Sequence, residues 1–182
     1  MVRPAGGLHR PGLPDRDWVI APDSPLAPDV TALLHHHIAL MHAASPPESV
    51  HALPVAALAA PGITFLSVRT QAGALLGVGA LSPIDARHCE IKSMHIAAAA
   101  RGQGLARHLL TALLRQARDQ GFQRVSLETG IEPVFKAARA LYTAAGFTTC
   151  PPFEGYGPDP NSVFMTLALD RPNDAQTGPA VP

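Results

Sequence analysis

The chain has 182 residues, 47% apolar and 15% charged, and its 14 basic and 14 acidic side chains give a formal net charge of zero. That length suits one domain with a sizeable core, and that composition excludes a disordered chain. A zero balance argues against nucleic acid or an anionic membrane as partner, and no apolar run approaches the ~20 residues that span a bilayer.

The opening "MVRPAGGLHRPGLPDRD" lacks the apolar core of a secretory signal, so a reducing cytoplasm is the expected compartment. Two cysteines, Cys89 and Cys150, support neither a disulfide scaffold nor a Cys-based zinc site. Residues 1–16 and 171–182 are rich in Pro, Gly and Asp and read as loose tails around one domain at 17–170. "DWVIA" (17–21) suits a first strand. From Asp29, Val30, Leu33, Leu34, Ile38 and Met41 fall at helical spacing. "SPPE" (45–48) has the form of a capping box with proline at the first helical position, which predicts a second helix starting there. "ITFLSV" (63–68), "LLGVGAL" (75–81) and "HCEIKSMHI" (88–96) predict three strands, and their short connections predict an antiparallel meander.

A strong helix follows, with Leu105, Leu109, Leu113 and Ala117 spaced by four, Leu110 and Leu114 beside them, and Gly121 at its end. "RVSLET" (124–129) is a strand, 133–145 a helix closed by Gly146, and "SVFMTLAL" (162–169) a last strand. The expected fold class is α/β (α+β), helices flanking a mixed sheet.

The stretch "AAAARGQGLARHLL" (97–110) enters the long helix through Arg101, Gly102, Gln103 and Gly104. It is no Rossmann fingerprint, because the third glycine position holds Arg107, and no P-loop, because no Gly-Lys-Ser/Thr follows. Glycines entering a helix leave its first amides reachable, and these, with the positive end of the macrodipole and Arg101, can hold a pyrophosphate. The same glycines could equally serve chain reversal alone.

The flanking residues weigh in. Arg101, Gly104 and Ala106 meet the loop pattern of the GCN5-related N-acetyltransferases, and "ALYTAAGF" (140–147) resembles their second signature, a helix carrying Leu-Tyr and ending in Gly-Phe. The resemblance covers roughly residues 63–169, and "SPPESVHAL", "EIKSMH" and "LETG" are similar to a bacterial subgroup of small acetyltransferases. It implies a mostly antiparallel sheet whose strands splay at the cofactor site, with acetyl-CoA as co-substrate. It puts the backbone of Met94, His95 and Ile96 against the pantetheine arm and the loop Arg101, Gly102, Gln103, Gly104, Leu105 and Ala106 on the pyrophosphate. Thr129, Gly130, Phe135 and Ala138 would border the cofactor from the other side.

An amine acceptor with a pKa near the lysine reference of about 10.4 must lose a proton before it attacks. The resemblance makes Glu90 the expected base, with Glu128 as rival, against a reading of Glu90 as a strand glutamate paired with Lys92. Tyr142 falls on the family's tyrosine and would supply the proton for the departing thiolate. One departure stands out: many relatives carry Asn seven residues before this tyrosine, where this chain has Phe135.

Consecutive helical residues point about 100° apart, so His35, His36 and His37 cannot converge on one metal ion, and no metal is expected. First helices of this family border the acceptor, which brings in Met41 and a histidine or two. Phe153 and Tyr156, in the proline-rich "PPFEGYGPDP" (151–160), would wall that site or only pin their loop. The expected activity is direct acetyl transfer to a primary amine of a small molecule, or of a protein, with no acyl-enzyme. A non-catalytic acyl-CoA-binding module is the alternative, and a homodimer is left open.

Overall fold

The structure, a computed structural model, describes residues 17–153 and 155–169. Both expected tails lie outside the described residues. Seven strands, β1 (Trp18–Pro22), β2 (Thr64–Thr70), β3 (Leu75–Pro83), β4 (His88–Ile96), β5 (Arg124–Gly130), β6 (Thr148–Thr149) and β7 (Ser162–Ala168), form one sheet in the order β1-β2-β3-β4-β5-β7-β6. Four helices accompany it: α1 (Pro28–Ala44), α2 (Val55–Leu58), α3 (Leu105–Asp119) and α4 (Lys136–Ala144). The β2–β3–β4 meander is antiparallel as its short turns predict, and β4–β5 is the one parallel pair. None of the described helices is long and apolar enough to cross a membrane.

Alternation along the strands sends successive side chains to opposite faces. Leu66 and Val68 of β2 join α3 in the larger core, with Cys89, Ile91, Val125 and Leu127. Phe65 lies on the other face, packed with Val30 and Leu34 of α1, Leu58 of α2, and Val78 and Ala80 of β3. The leucines of α3 predicted from the sequence are all buried, and each fully buried one stabilises the fold by roughly 1.5–3 kcal/mol. Both α3 and α4 close with the same hydrogen-bond pattern. Phe122 N–H donates to the Ala117 carbonyl, and Phe147 N–H to that of Tyr142, each five residues back across the terminal glycine.

The helix expected from Ser45 does not form. Ser45 is instead the C-cap of α1, and its N–H donates to the Met41 carbonyl at 2.9 Å. Pro46 then holds the chain extended ahead of a three-residue 3₁₀ turn, Pro47–Ser49, with no side-chain cap. A capping box needs a residue free to begin a helix; here Ser45 is engaged in ending one. The short α2 and the two-residue β6 carried no readable periodicity in the sequence.

Two irregularities shape the middle of the sheet. β4 and β5 pair only through His88–Arg124, Cys89–Val125 and Glu90–Ser126, and their later residues part. Across β3–β4, Val78 pairs with His95 and Ala80 with Lys92, so Ser93 and Met94 both face Gly79 in a bulge. Ser93 takes φ 54°, unique among the described non-glycine residues in being positive. Beside the bulge, Gly77 is pressed against β4: an added Cβ would stand 2.5 Å from Ile96 Cδ1 and 2.9 Å from the His95 carbonyl oxygen. Gly77→Ala is therefore expected to lower the unfolding free energy by roughly 1–3 kcal/mol, read as an earlier midpoint in urea; an unchanged midpoint would contradict the packing described.

Candidate active site

The entry to α3 has the conformation its glycines allow. Gly102 and Gly104 take φ +77° and +75°, and nothing lies within 4 Å of a Cβ built on either. They are glycine for backbone geometry, not for room. Gly104 is the N-cap of α3 and no side chain caps it, while no acidic residue stands in its first turn. The helix thus presents amides and dipole to an open surface. Arg101 Nε donates to the Ile96 carbonyl at 3.2 Å, which ties the loop to the end of β4.

This loop forms one end of a cleft of about 660 Å³. Met94, His95 and Ile96 line it from β4, Arg101, Gly104, Ala106, Arg107 and His108 from the cradle, and Ala137, Ala138, Leu141 and Tyr142 from α4. Most of the expected cofactor residues are therefore brought together. Gly102 and Gln103 are exposed beside the cleft, and Leu105 spends its side chain in the core, leaving only its backbone to the cradle.

A second, smaller cavity of about 90 Å³ opens on the other side of the gap between β4 and β5. Thr129, Gly130 and Phe135 border this cavity, not the larger cleft, as does Met41 of α1. The Phe135 ring lies where a Cβ on Gly130 would stand, so the aromatic side chain closes over the end of β5. Arg139 of α4 holds the same strand end by donating to the Gly130 carbonyl at 2.5 Å.

Met94, Ala138 and Tyr142 line both cavities. Tyr142 is 7% exposed, and its O–H donates to Met94 Sδ at 3.7 Å, a weak acceptor. Burial raises the phenol above its ordinary pKa, so it keeps its proton at neutral pH.

The two glutamates are treated differently by the fold. Glu90 pairs with Lys92 at 3.0 Å and accepts a hydrogen bond from the Tyr156 hydroxyl through the same oxygen. Lys92 also donates to the His51 carbonyl at 3.1 Å and to the Tyr156 hydroxyl at 2.5 Å. Glu90 does not line the small cavity; Glu128 does. Burial pushes the Glu128 carboxyl above the ordinary glutamate range, while the Ser162 hydroxyl, donating to its Oε1 at 2.6 Å, pulls the other way.

Lys92, His37 and His51 line the small cavity too, although the sequence offered no motif for them. Burial and the neighbouring His36 bring the His37 pKa down to about 4. His95, whose ring centroid is 4.8 Å from that of His37, is likewise brought to about 4, chiefly by burial. His51 Nε2 lies 3.6 Å from Asp159 Oδ2, and the Asn161 amide donates to Ser49 Oγ at 3.2 Å. These contacts join the segment after α1 to the connection between β6 and β7. Phe153 packs with Tyr156, His88 and Phe164 and lines neither cavity. Tyr156 stands behind Lys92. The Cys89 thiol is fully buried, and burial pushes it up to about 12. Among the described residues no three His, Cys, Asp or Glu side chains are grouped as metal donors.

Comparison with known proteins gives a consistent picture. The profile described as Acetyltransferase (GNAT) family matches residues 31–147. The uncharacterized N-acetyltransferase YsnE of Bacillus subtilis (strain 168) is 46% identical over 140 residues, covering 77% of this chain and 92% of the relative. An IAA acetyltransferase of Azospirillum brasilense is 38% identical over 152 residues, covering 82% and 97%. A GNAT family acetyltransferase from Elizabethkingia anophelis, solved with acetyl-CoA bound, shares the fold at TM-score 0.61 and 18% identity, covering 85% of this chain and all of that one.

An alanine at position 104 would hold a left-handed residue at a cost of about 1–2 kcal/mol, which the exposed loop of the free protein escapes by relaxing and which must then be met on binding. Gly104→Ala should accordingly weaken coenzyme A binding by about tenfold in calorimetry, with thermal stability reported alongside; unaltered affinity would remove the cradle from the binding site.

Proposed function

The chain belongs to the GNAT family and is an N-acetyltransferase, and from that premise we propose that it transfers acetyl from acetyl-CoA directly to a primary amine of a small molecule. The observation that carries this reading is the position of Tyr142, a buried proton donor shared by the large cleft and the small cavity. The open cradle, the two arginines beside it and the apolar cleft suit a long anionic thioester. Acetyl-CoA supplies the activated acyl group; this chain's residues hold it, admit the amine and manage two protons. The relative named for IAA and the narrow second cavity both favour a small acceptor over a folded protein.

In the proposed roles, Glu128 takes a proton from the amine as the carbon–nitrogen bond forms, and Tyr142 gives one to the sulfur as the carbon–sulfur bond breaks. Solvent then returns the Tyr142 proton and removes that of Glu128. Glu128 is preferred to Glu90 because it faces the cavity, and because burial brings its pKa closer to the working pH of a general base. Glu90 fixes Lys92 and Tyr156 in place.

A base with a raised pKa is active only above that value, so the acidic limb of the kcat profile should lie above the ordinary glutamate range. Glu128→Gln is expected to cost about 10²–10³-fold in kcat and abolish this limb, and Tyr142→Phe about 10²-fold with acetyl-CoA KM little changed. Glu90→Gln should keep the limb. A limb that survives Glu128→Gln but vanishes in Glu90→Gln would reverse the assignment, and thiol release with no responsive amine would favour a binding module.

A further inference from the structure

The small cavity also limits what the amine can be. Its 90 Å³ is smaller than the ~150 Å³ cavity that takes up a benzene ring, so only the end of an acceptor fits beside Tyr142. Among its described lining residues, Lys92 is the one lysine or arginine. All three Lys92 donor directions are taken, by Glu90, the His51 carbonyl and Tyr156. His51 turns its Nε2 toward Asp159, and His37, buried, is neutral. Glu128 accepts from the Ser162 hydroxyl, and His51 and Lys92 act on it only at longer range. A carboxylate carried on the carbon next to the amine would have to enter with it, into a space that already holds the Glu128 carboxyl and whose one lysine has no donor to spare. Burying such a charge unpaired is strongly unfavourable. A cationic or neutral amine meets no such barrier.

Resting on the transferase reading above, we propose that the acceptor is an alkylamine or diamine whose reacting nitrogen sits on an unbranched carbon bearing no carboxylate. The Glu90–Lys92 pair is what enforces this: with its charge spent on Glu90 and its donors filled, Lys92 offers nothing to an α-carboxylate.

The test is thiol release by the full chain with acetyl-CoA and ethylamine, 1,4-diaminobutane, isopropylamine or glycine. Ethylamine is a stronger base than glycine and holds less neutral amine at a given pH, so basicity alone would favour glycine. The proposal expects kcat/KM for ethylamine and the diamine at least tenfold above glycine, and above isopropylamine. Equal or better use of glycine or isopropylamine overturns it while leaving the transferase reading intact. No thiol release with any amine, despite coenzyme A binding, overturns both. In Glu90→Gln, with folding checked by coenzyme A affinity, Lys92 gains a free charge and the preference over glycine should narrow by about tenfold. An unchanged preference there also defeats the proposal.

Discussion

The parallel pairing of β4 with β5 stops after three residue pairs, and the rest of the site depends on where it stops. Had the strands continued together, Met94 and Gly130 would be sheet neighbours and no gap would exist for a thioester to enter. The bulge at Ser93 and Met94 works in the same direction. Two residues of β4 face one of β3, which bends the strand away from β5 and leaves ladder groups unpaired near the gap. Gly77 and Gly79 let β3 stay close while β4 changes course. The sheet is thereby complete on one side and open on the other.

The opening has two unlike sides. Toward α3 and α4 the walls are apolar, with arginines and helix amides at one end, fitting a ligand that is greasy along most of its length and anionic at its tail. Toward α1 the wall and the layer behind it are polar and nearly self-satisfied: Glu90, Lys92 and Tyr156 serve each other, Glu128 bonds Ser162, and Ser126 donates to Thr166 at 2.9 Å. Such a layer discriminates by refusing charges it cannot pair, while the cofactor side discriminates by offering groups that need a partner. Tyr142 belongs to both sides, lining the cleft and the small cavity alike.

Much of this was legible in the sequence wherever a local pattern determines structure. The i, i+4 leucines of α3, the alternating meander and the glycines at 102 and 104 are local, and they marked the strands and the start of α3 within a residue or two. The apparent capping box at Ser45 misled for a reason that is also physical: the end of α1 used the serine first. What could not be read were contacts between distant segments. Lys92 beside Glu90 was visible as a pair of strand neighbours, but not that His51 and Tyr156 would complete its shell. Nor could spacing choose between Glu90 and Glu128, since that depends on which carboxylate the connection between β6 and β7 covers.

That connection is held to the segment after α1 across 112 positions of sequence, through Asn161 and Ser49, whereas the cradle is contained within a single strand-to-helix turn. Contacts of such separation carry a larger loop-closure entropy and order later than local ones. The two halves of the site consequently mature at different times along the folding path. The loop entering α3 is built from one local piece of chain, whereas the wall proposed for the acceptor needs both ends of the sheet to have come together. The same asymmetry makes the acceptor wall the half most open to change, because altering it leaves the early-forming half undisturbed.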